Sequence, residues 1–266
     1  MRRTALALIA LVIVPCAAQQ AASPYRKEFE KEKNGPHGEC PVEWKRVSEG
    51  LDYRAIRCLG GDELDVHVIR VDTDLWELNA AVESRGSARE IARSHDSPFA
   101  MNANFFDRPQ TALGAIVRSG SVIQKPRQSS WQSIFLIDED GVPHIVMPSA
   151  WSSWRDRAFM AVQAGPRLVV GGHTNKVSKS YSAARAGVCI GKHGQLLFFA
   201  TPQTRKFDMY EIGRVTRRGE EDGGLACRDA MLFDGGHSTQ IYIDGEDRNV
   251  DVQGDPVPVF IYVKRK

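Results

Sequence analysis

The sequence predicts an α+β fold: a single domain with a large, mainly antiparallel β-sheet and a few packed helices. Three observations predict it. Short runs that alternate apolar and polar residues, or stay apolar throughout, recur along most of the chain between glycine-containing turns. Only two segments, 87–95 and 207–217, carry the spacing and end signals of helices. No internal repeat and no interdomain linker breaks the pattern from residue 41 to residue 266.

Ahead of that domain, Arg2 and Arg3 precede an uncharged apolar run over residues 5–14, followed by the small Ala17 and Ala18. This order is that of a secretory signal peptide, expected over residues 1–18, with cleavage after Ala22 as the alternative. The apolar run is shorter than the roughly 20 residues that a membrane span needs. Pro15 directly before Cys16 fits a lipid-attachment site poorly. Residues 19–40 read as a flexible leader, because residues 25–33 are dense in charge and Asn34-Gly35-Pro36-His37-Gly38 interrupts regular structure. The expected location is periplasmic or secreted.

Within the domain, segments 53–58 and 64–71 alternate as half-buried strands about a Gly60-Gly61-Asp62 turn. Ser87 is placed to cap the first helix, with Glu90 completing a capping box. Residues 98–106 form a buried strand that runs into Asn102, Asn104 and the Phe105-Phe106 pair. Further strands are expected at 115–118, 121–124, 133–138, 144–147, 159–164 and 168–170, the last two flanking Gly165-Pro166. Segments 185–190 and 195–200 pair as a hairpin, 207–217 is the second helix, and 219–224 is a polar loop. Residues 231–233 then enter a glycine loop, and strands at 240–244 and 257–263 close the domain. The processed chain keeps Cys40, Cys58, Cys189 and Cys227, which an oxidising compartment would pair. The expected disulfides are Cys40–Cys58 and Cys189–Cys227, since each joins segments that this strand order makes neighbours. A four-thiolate zinc site would want close C-x-x-C pairs, and none occurs.

Charge excludes one class of partner. Thirty-five basic residues stand against 33 acidic ones, a formal net charge of +2, and no basic-aromatic stripe offers a nucleic-acid surface. The loop Asp234-Gly235-Gly236-His237-Ser238-Thr239-Gln240 is the feature richest in chemistry. An apolar strand delivers a carboxylate, two glycines permit close approach to the backbone, and two hydroxyls follow. Read locally, the same residues also suit a plain tight turn between strands. A nucleophile elbow would need a helix after Ser238, but residues 240–244 alternate like a strand. The sequence has no phosphate-binding P-loop, H-E-x-x-H or calcium-loop pattern, and its histidines lack metal-ligand spacing. No cofactor is expected, and a divalent cation at the Asp234 loop is left open.

Four segments taken in order resemble the phosphodiester glycosidase family: Asn102-Ala103-Asn104-Phe105-Phe106, Gln163-Ala164-Gly165-Pro166, Ala184-Arg185-Ala186-Gly187-Val188, and Asp234-Gly235-Gly236-His237-Ser238-Thr239. The resemblance covers roughly residues 65–264, and His237 departs from it by replacing a third glycine. It implies an exported hydrolase, a glycosidase acting on a sugar-1-phosphodiester in a cell-envelope or exported glycan. Its implied partner is a carbohydrate or sugar phosphate, with neither nucleic acid nor a stable membrane span involved. The implied catalytic residues are Asp234 facing the anomeric carbon, Arg185 as phosphate clamp, and Asn102 and Asp107 in support. Gly235, Gly236, His237, Ser238, Thr239, Gln163 and Asn104 would contact substrate. A non-catalytic protein binding a phosphorylated glycan and a metal-dependent phosphodiesterase are the alternatives.

Overall fold

A strand with one apolar face is stable only when a second layer covers that face. In the computed structural model, which describes residues 40–59, 65–107, 110–177, 181–246 and 248–266, other strands supply most of that cover. The predicted signal peptide, the leader up to residue 39 and the Gly60-Gly61-Asp62 turn lie outside the described residues.

The chain first forms β1 (Lys45–Ser48), β2 (Leu51–Ile56), β3 (Val66–Val71), β4 (Trp76–Gly86) and α1 (Ala88–Ser94). Next come β5 (Phe99–Asn102), β6 (Phe106–Asp107), β7 (Thr111–Ala112), β8 (Ile116–Arg118) and β9 (Ser121–Gln124). They are followed by β10 (Ser133–Asp138), β11 (Pro143–Val146), β12 (Ala158–Ala164), β13 (Arg167–Val170) and β14 (His173–Thr174). The remainder gives β15 (Ala186–Gly191), β16 (Leu196–Ala200), α2 (Met209–Arg217), β17 (Cys227–Leu232), β18 (Ile241–Gly245), β19 (Arg248–Val252) and β20 (Val257–Arg265).

The strand pairings are antiparallel, as expected. The expectation of one large sheet is corrected. The strands divide into an eight-stranded sheet (β1-β2-β3-β16-β15-β17-β13-β14) and two five-stranded sheets (β11-β10-β12-β8-β9 and β19-β18-β5-β20-β4), with a β6-β7 ribbon. The reason is coverage: helices of seven and nine residues cannot shield so many apolar strand faces, so the sheets pack on one another. Phe99 of β5, Phe135 of β10 and Phe198 of β16 meet in the common core. Ring centroids are 5.2 Å apart for Phe99–Phe198 and 5.7 Å for Phe135–Phe198.

Local chemistry fixes the helix ends. Ser87 Oγ accepts the Glu90 N–H and Glu90 accepts the Ser87 N–H, the predicted capping box. The second helix starts two residues later than its sequence span, at Met209 under an Asp208 cap, because Phe207 exchanges backbone hydrogen bonds with Ala183. Both expected disulfides form, with Cα separations of 5.6 Å for Cys40–Cys58 and 5.5 Å for Cys189–Cys227. No helix among the described residues is long and apolar enough to cross a membrane.

Candidate active site

The Asp234 loop is the crossing between two sheets. Strand β17 runs inside the eight-stranded sheet between β15 and β13, whereas β18 belongs to a five-stranded sheet beside β5. The backbone changes partners on the way over. Phe233 N–H donates to the Ala186 carbonyl, Asp234 N–H to that of Ala103 (2.9 Å), and Gly236 N–H to that of Ala184 (2.8 Å).

The side chains of Asn102 and Gln203, the loop's own Gln240 and the backbone of Asp255 then pin the loop. Asn102, the last residue of β5 and fully buried, spans both its ends: Nδ2 donates to the Asp234 carbonyl (2.7 Å) and Oδ1 accepts the Gln240 N–H (2.9 Å). Gln203 Nε2 donates to the carbonyls of Gly236 (3.1 Å) and Thr239 (2.9 Å). Gln240 accepts the Ala88 N–H at the start of α1 and donates to the Asp255 carbonyl. Asp255 N–H in turn reaches the His237 carbonyl at 2.7 Å. Gly254 permits this close approach, since a Cβ there would stand 2.4 Å from the His237 oxygen.

Asp234 is half-buried inside this frame. Its Oδ1 accepts the Gly235 N–H (3.0 Å) and its carboxylate also accepts from Ser238. Burial pushes its pKa up to about 6, outweighing those two hydrogen bonds, which pull it down. A carboxyl so poised exchanges a proton readily near neutrality. Gly236 takes φ +63°, where glycine is favoured, whereas His237 is absent from the positive-φ residues and lies exposed. A side chain at position 237 is therefore accommodated without backbone strain.

Arg185 lies beneath the loop: a Cβ on Gly235 would stand 3.9 Å from its Nη1. Its Nε donates to the Phe207 carbonyl (2.9 Å) and its Nη2 to that of Tyr181 (2.8 Å). Burial pulls its pKa down, while Tyr181 and Asp208 push it up.

The remaining predicted residues are placed differently. Gln163 is fully buried with both amide positions doubly engaged: Oε1 accepts from Ala115 and Arg127, and Nε2 donates to the Arg127 carbonyl and to Gln132. It leaves no position for a ligand and ties the Ala115, Arg127 and Gln132 segments together. Asn104 Nδ2 donates to the carbonyls of Leu113 and Ala115. Its Oδ1, like Thr239 Oγ1, is buried without a partner among the described residues. Asp107 is exposed on the β6-β7 ribbon and joins none of the hydrogen bonds around Asp234 given above. Among the described residues no three His, Cys, Asp or Glu side chains are grouped to hold a metal ion. Cavities of about 240, 330 and 430 Å³ lie elsewhere and share no lining residue with the loop.

Gln203, Gly254 and Asp255 were not singled out by sequence. Each acts on the loop from a distant segment, and only the Thr201-Pro202-Gln203 turn carries a local cue, a polar amide held by a proline.

Two solved structures have a similar fold. One is a hypothetical protein from Synechocystis, with TM-score 0.60, 14% identity, and coverage of 85% of this chain and 64% of that one. The chain thus spans just under two thirds of the Synechocystis protein. The other is the zebrafish N-acetylglucosamine-1-phosphodiester alpha-N-acetylglucosaminidase catalytic domain auto-inhibited by its pro-peptide. It has TM-score 0.61, 14% identity, and coverage of 86% of this chain and 88% of that one. Curated protein sequences gave no match. The phosphodiester glycosidase family model matches residues 95–264, more than half of the chain and all four motif segments, so the chain belongs to the phosphodiester glycosidase family, a family of hydrolases.

Proposed function

We propose that the protein hydrolyses the glycosidic bond of a sugar-1-phosphodiester in an exported or cell-envelope glycan. The carrying observation is the half-buried Asp234 carboxyl, its pKa raised to about 6, in a loop held by Asn102 and Gln203. Cleavage at the anomeric carbon releases a phosphate monoester, already a stable anion whose second pKa lies near 6, so the leaving group needs little protonation. Asp234 then has one task, to face the oxocarbenium-like centre as nucleophile or as base for water. Arg185 stabilises the departing charge from beneath Gly235, and Ser238 and His237 bind sugar or phosphate from the loop, whereas Thr239 is buried and supports it from within. Asn102 acts as a positioning residue, and Asp107 is the candidate second carboxylate.

The two disulfides support an oxidising, periplasmic or secreted setting. A signal peptide over residues 1–18 and a leader over 19–40 complete this reading, with the catalytic domain at 41–266.

The test is incubation with a panel of sugar-1-phosphodiesters. Release of free sugar, lost in Asp234→Asn, is the expected result. Binding without turnover would show a glycan-binding protein instead. Release of a sugar phosphate, abolished by a chelator, would show a metal-dependent phosphodiesterase.

A further inference from the structure

Four of the five tryptophans are packed into the molecule, and the fifth is not. Trp76 and Trp151 are buried, while Trp44 lies under the Arg70 guanidinium and Trp154 against His144. Trp131 is 54% exposed, and among the described residues nothing accepts its indole N–H. A singly exposed apolar side chain is ordinary on a protein surface, and what distinguishes Trp131 is the set of segments it touches.

Two contacts join Trp131 to segments that hold the Asp234 loop. Its ring lies 5.5 Å from that of Phe105, two residues beyond the Ala103 whose carbonyl holds the Asp234 N–H. Its carbonyl oxygen would stand 2.8 Å from a Cβ on Gly165, and the adjoining Pro166 carbonyl accepts the Leu232 N–H, two residues before Asp234. The segment is also held in place, although it forms neither helix nor strand. Gln163 grips the Arg127 backbone and the Gln132 side chain, and Ser129 Oγ accepts the N–H groups of Trp131 and Gln132. A ring carried on a backbone so held adds less ordering cost when a ligand covers it.

We propose that Trp131, backed by Phe105, is a stacking platform for the pyranose ring of the substrate and determines which sugar the site accepts. A pyranose has one face lined by C–H groups and a rim of hydroxyls. The exposed part of the indole offers an apolar surface for the first, and its N–H can donate to the second. Asp234 and the loop then address the anomeric carbon and the phosphate, while Trp131 addresses the ring. This rests on the sugar-1-phosphodiester reading above.

The experiment measures saturation-transfer NMR and titrated affinity for a panel of methyl pyranosides, against wild type, Trp131→Ala and Trp131→Phe. Thermal melts of each variant establish that it is folded. The expected result is that at least one pyranoside binds wild type through the C–H protons of one face. Trp131→Ala should weaken that affinity by about tenfold, and Trp131→Phe should recover most of it. Pyranoside affinity unchanged in a folded Trp131→Ala overturns the platform and leaves the sugar site standing. Wild type that binds neither a pyranoside nor a sugar-1-phosphodiester overturns both.

Discussion

Burial raises the pKa of the Asp234 carboxyl to about 6 against the pull of the Ser238 and Gly235 hydrogen bonds, whereas its ordinary value is 3.8. The folded state thus holds this proton more tightly than the unfolded chain does. Between those two values unfolding releases a proton, so stability falls as pH rises through the window and stays reduced above it, by about 3 kcal/mol. Asp234→Asn removes the charge and keeps an acceptor for Gly235. The variant should be more stable than wild type at pH 7 and lose that advantage below about pH 4, as urea unfolding at the two pH values would show. Its turnover should vanish at both. Wild-type activity, with Asp234 as the base or nucleophile, should rise through about pH 6. Equal stability of wild type and variant at pH 7 would count against a buried charge at this position.

At the scale of elements, β5 ends where the two ends of the loop meet. Truncating Asn102 to Ala would leave the Asp234 carbonyl and the Gln240 N–H without their partner in a closed environment. The expected loss is about 2–4 kcal/mol in unfolding free energy, with a fall in kcat larger than any change in KM. The same region shows what could be read beforehand. Strands β2, β3, β10, β15 and β16 announced themselves because alternation or continuous apolarity matches how their faces are buried. The eleven-residue β4 did not. Its first half is nearly all buried, while Glu83, Ser84 and Arg85 run on into solvent, so neither period appears. Pairing with β20 along most of its length makes it a strand, and that partner lies some 180 residues away in sequence. The site divides in the same way. Asp234 and its glycines are local chemistry and could be found in sequence, whereas the grip of Gln203 and the closeness of Gly254 exist only once two sheets are bridged.

For the molecule as a whole, the three sheets share one core, and the loop is tied to both layers it joins. The two disulfides are placed unequally in that arrangement. Cys189–Cys227 links β15 to β17, the strand that delivers Asp234, and closes a separation of 38 residues. Cys40–Cys58 closes 18 residues beside β2, toward the edge of the eight-stranded sheet. Loop-closure entropy gives about 4 kcal/mol for the first and about 3 kcal/mol for the second, so stability alone separates them little. Function should separate them. Replacing Cys40 and Cys58 by Ala should lower the urea midpoint while leaving kcat and KM near wild type at temperatures where the variant is folded. Replacing Cys189 and Cys227 by Ala should lower the midpoint by a similar or larger amount and also reduce kcat, because β17 then sets Asp234 against Ala103, and Gly236 against Ala184, less firmly. Equal kcat for the two folded double variants would mean that the sheet-to-sheet hydrogen bonds of the loop position Asp234 without help from the crosslink.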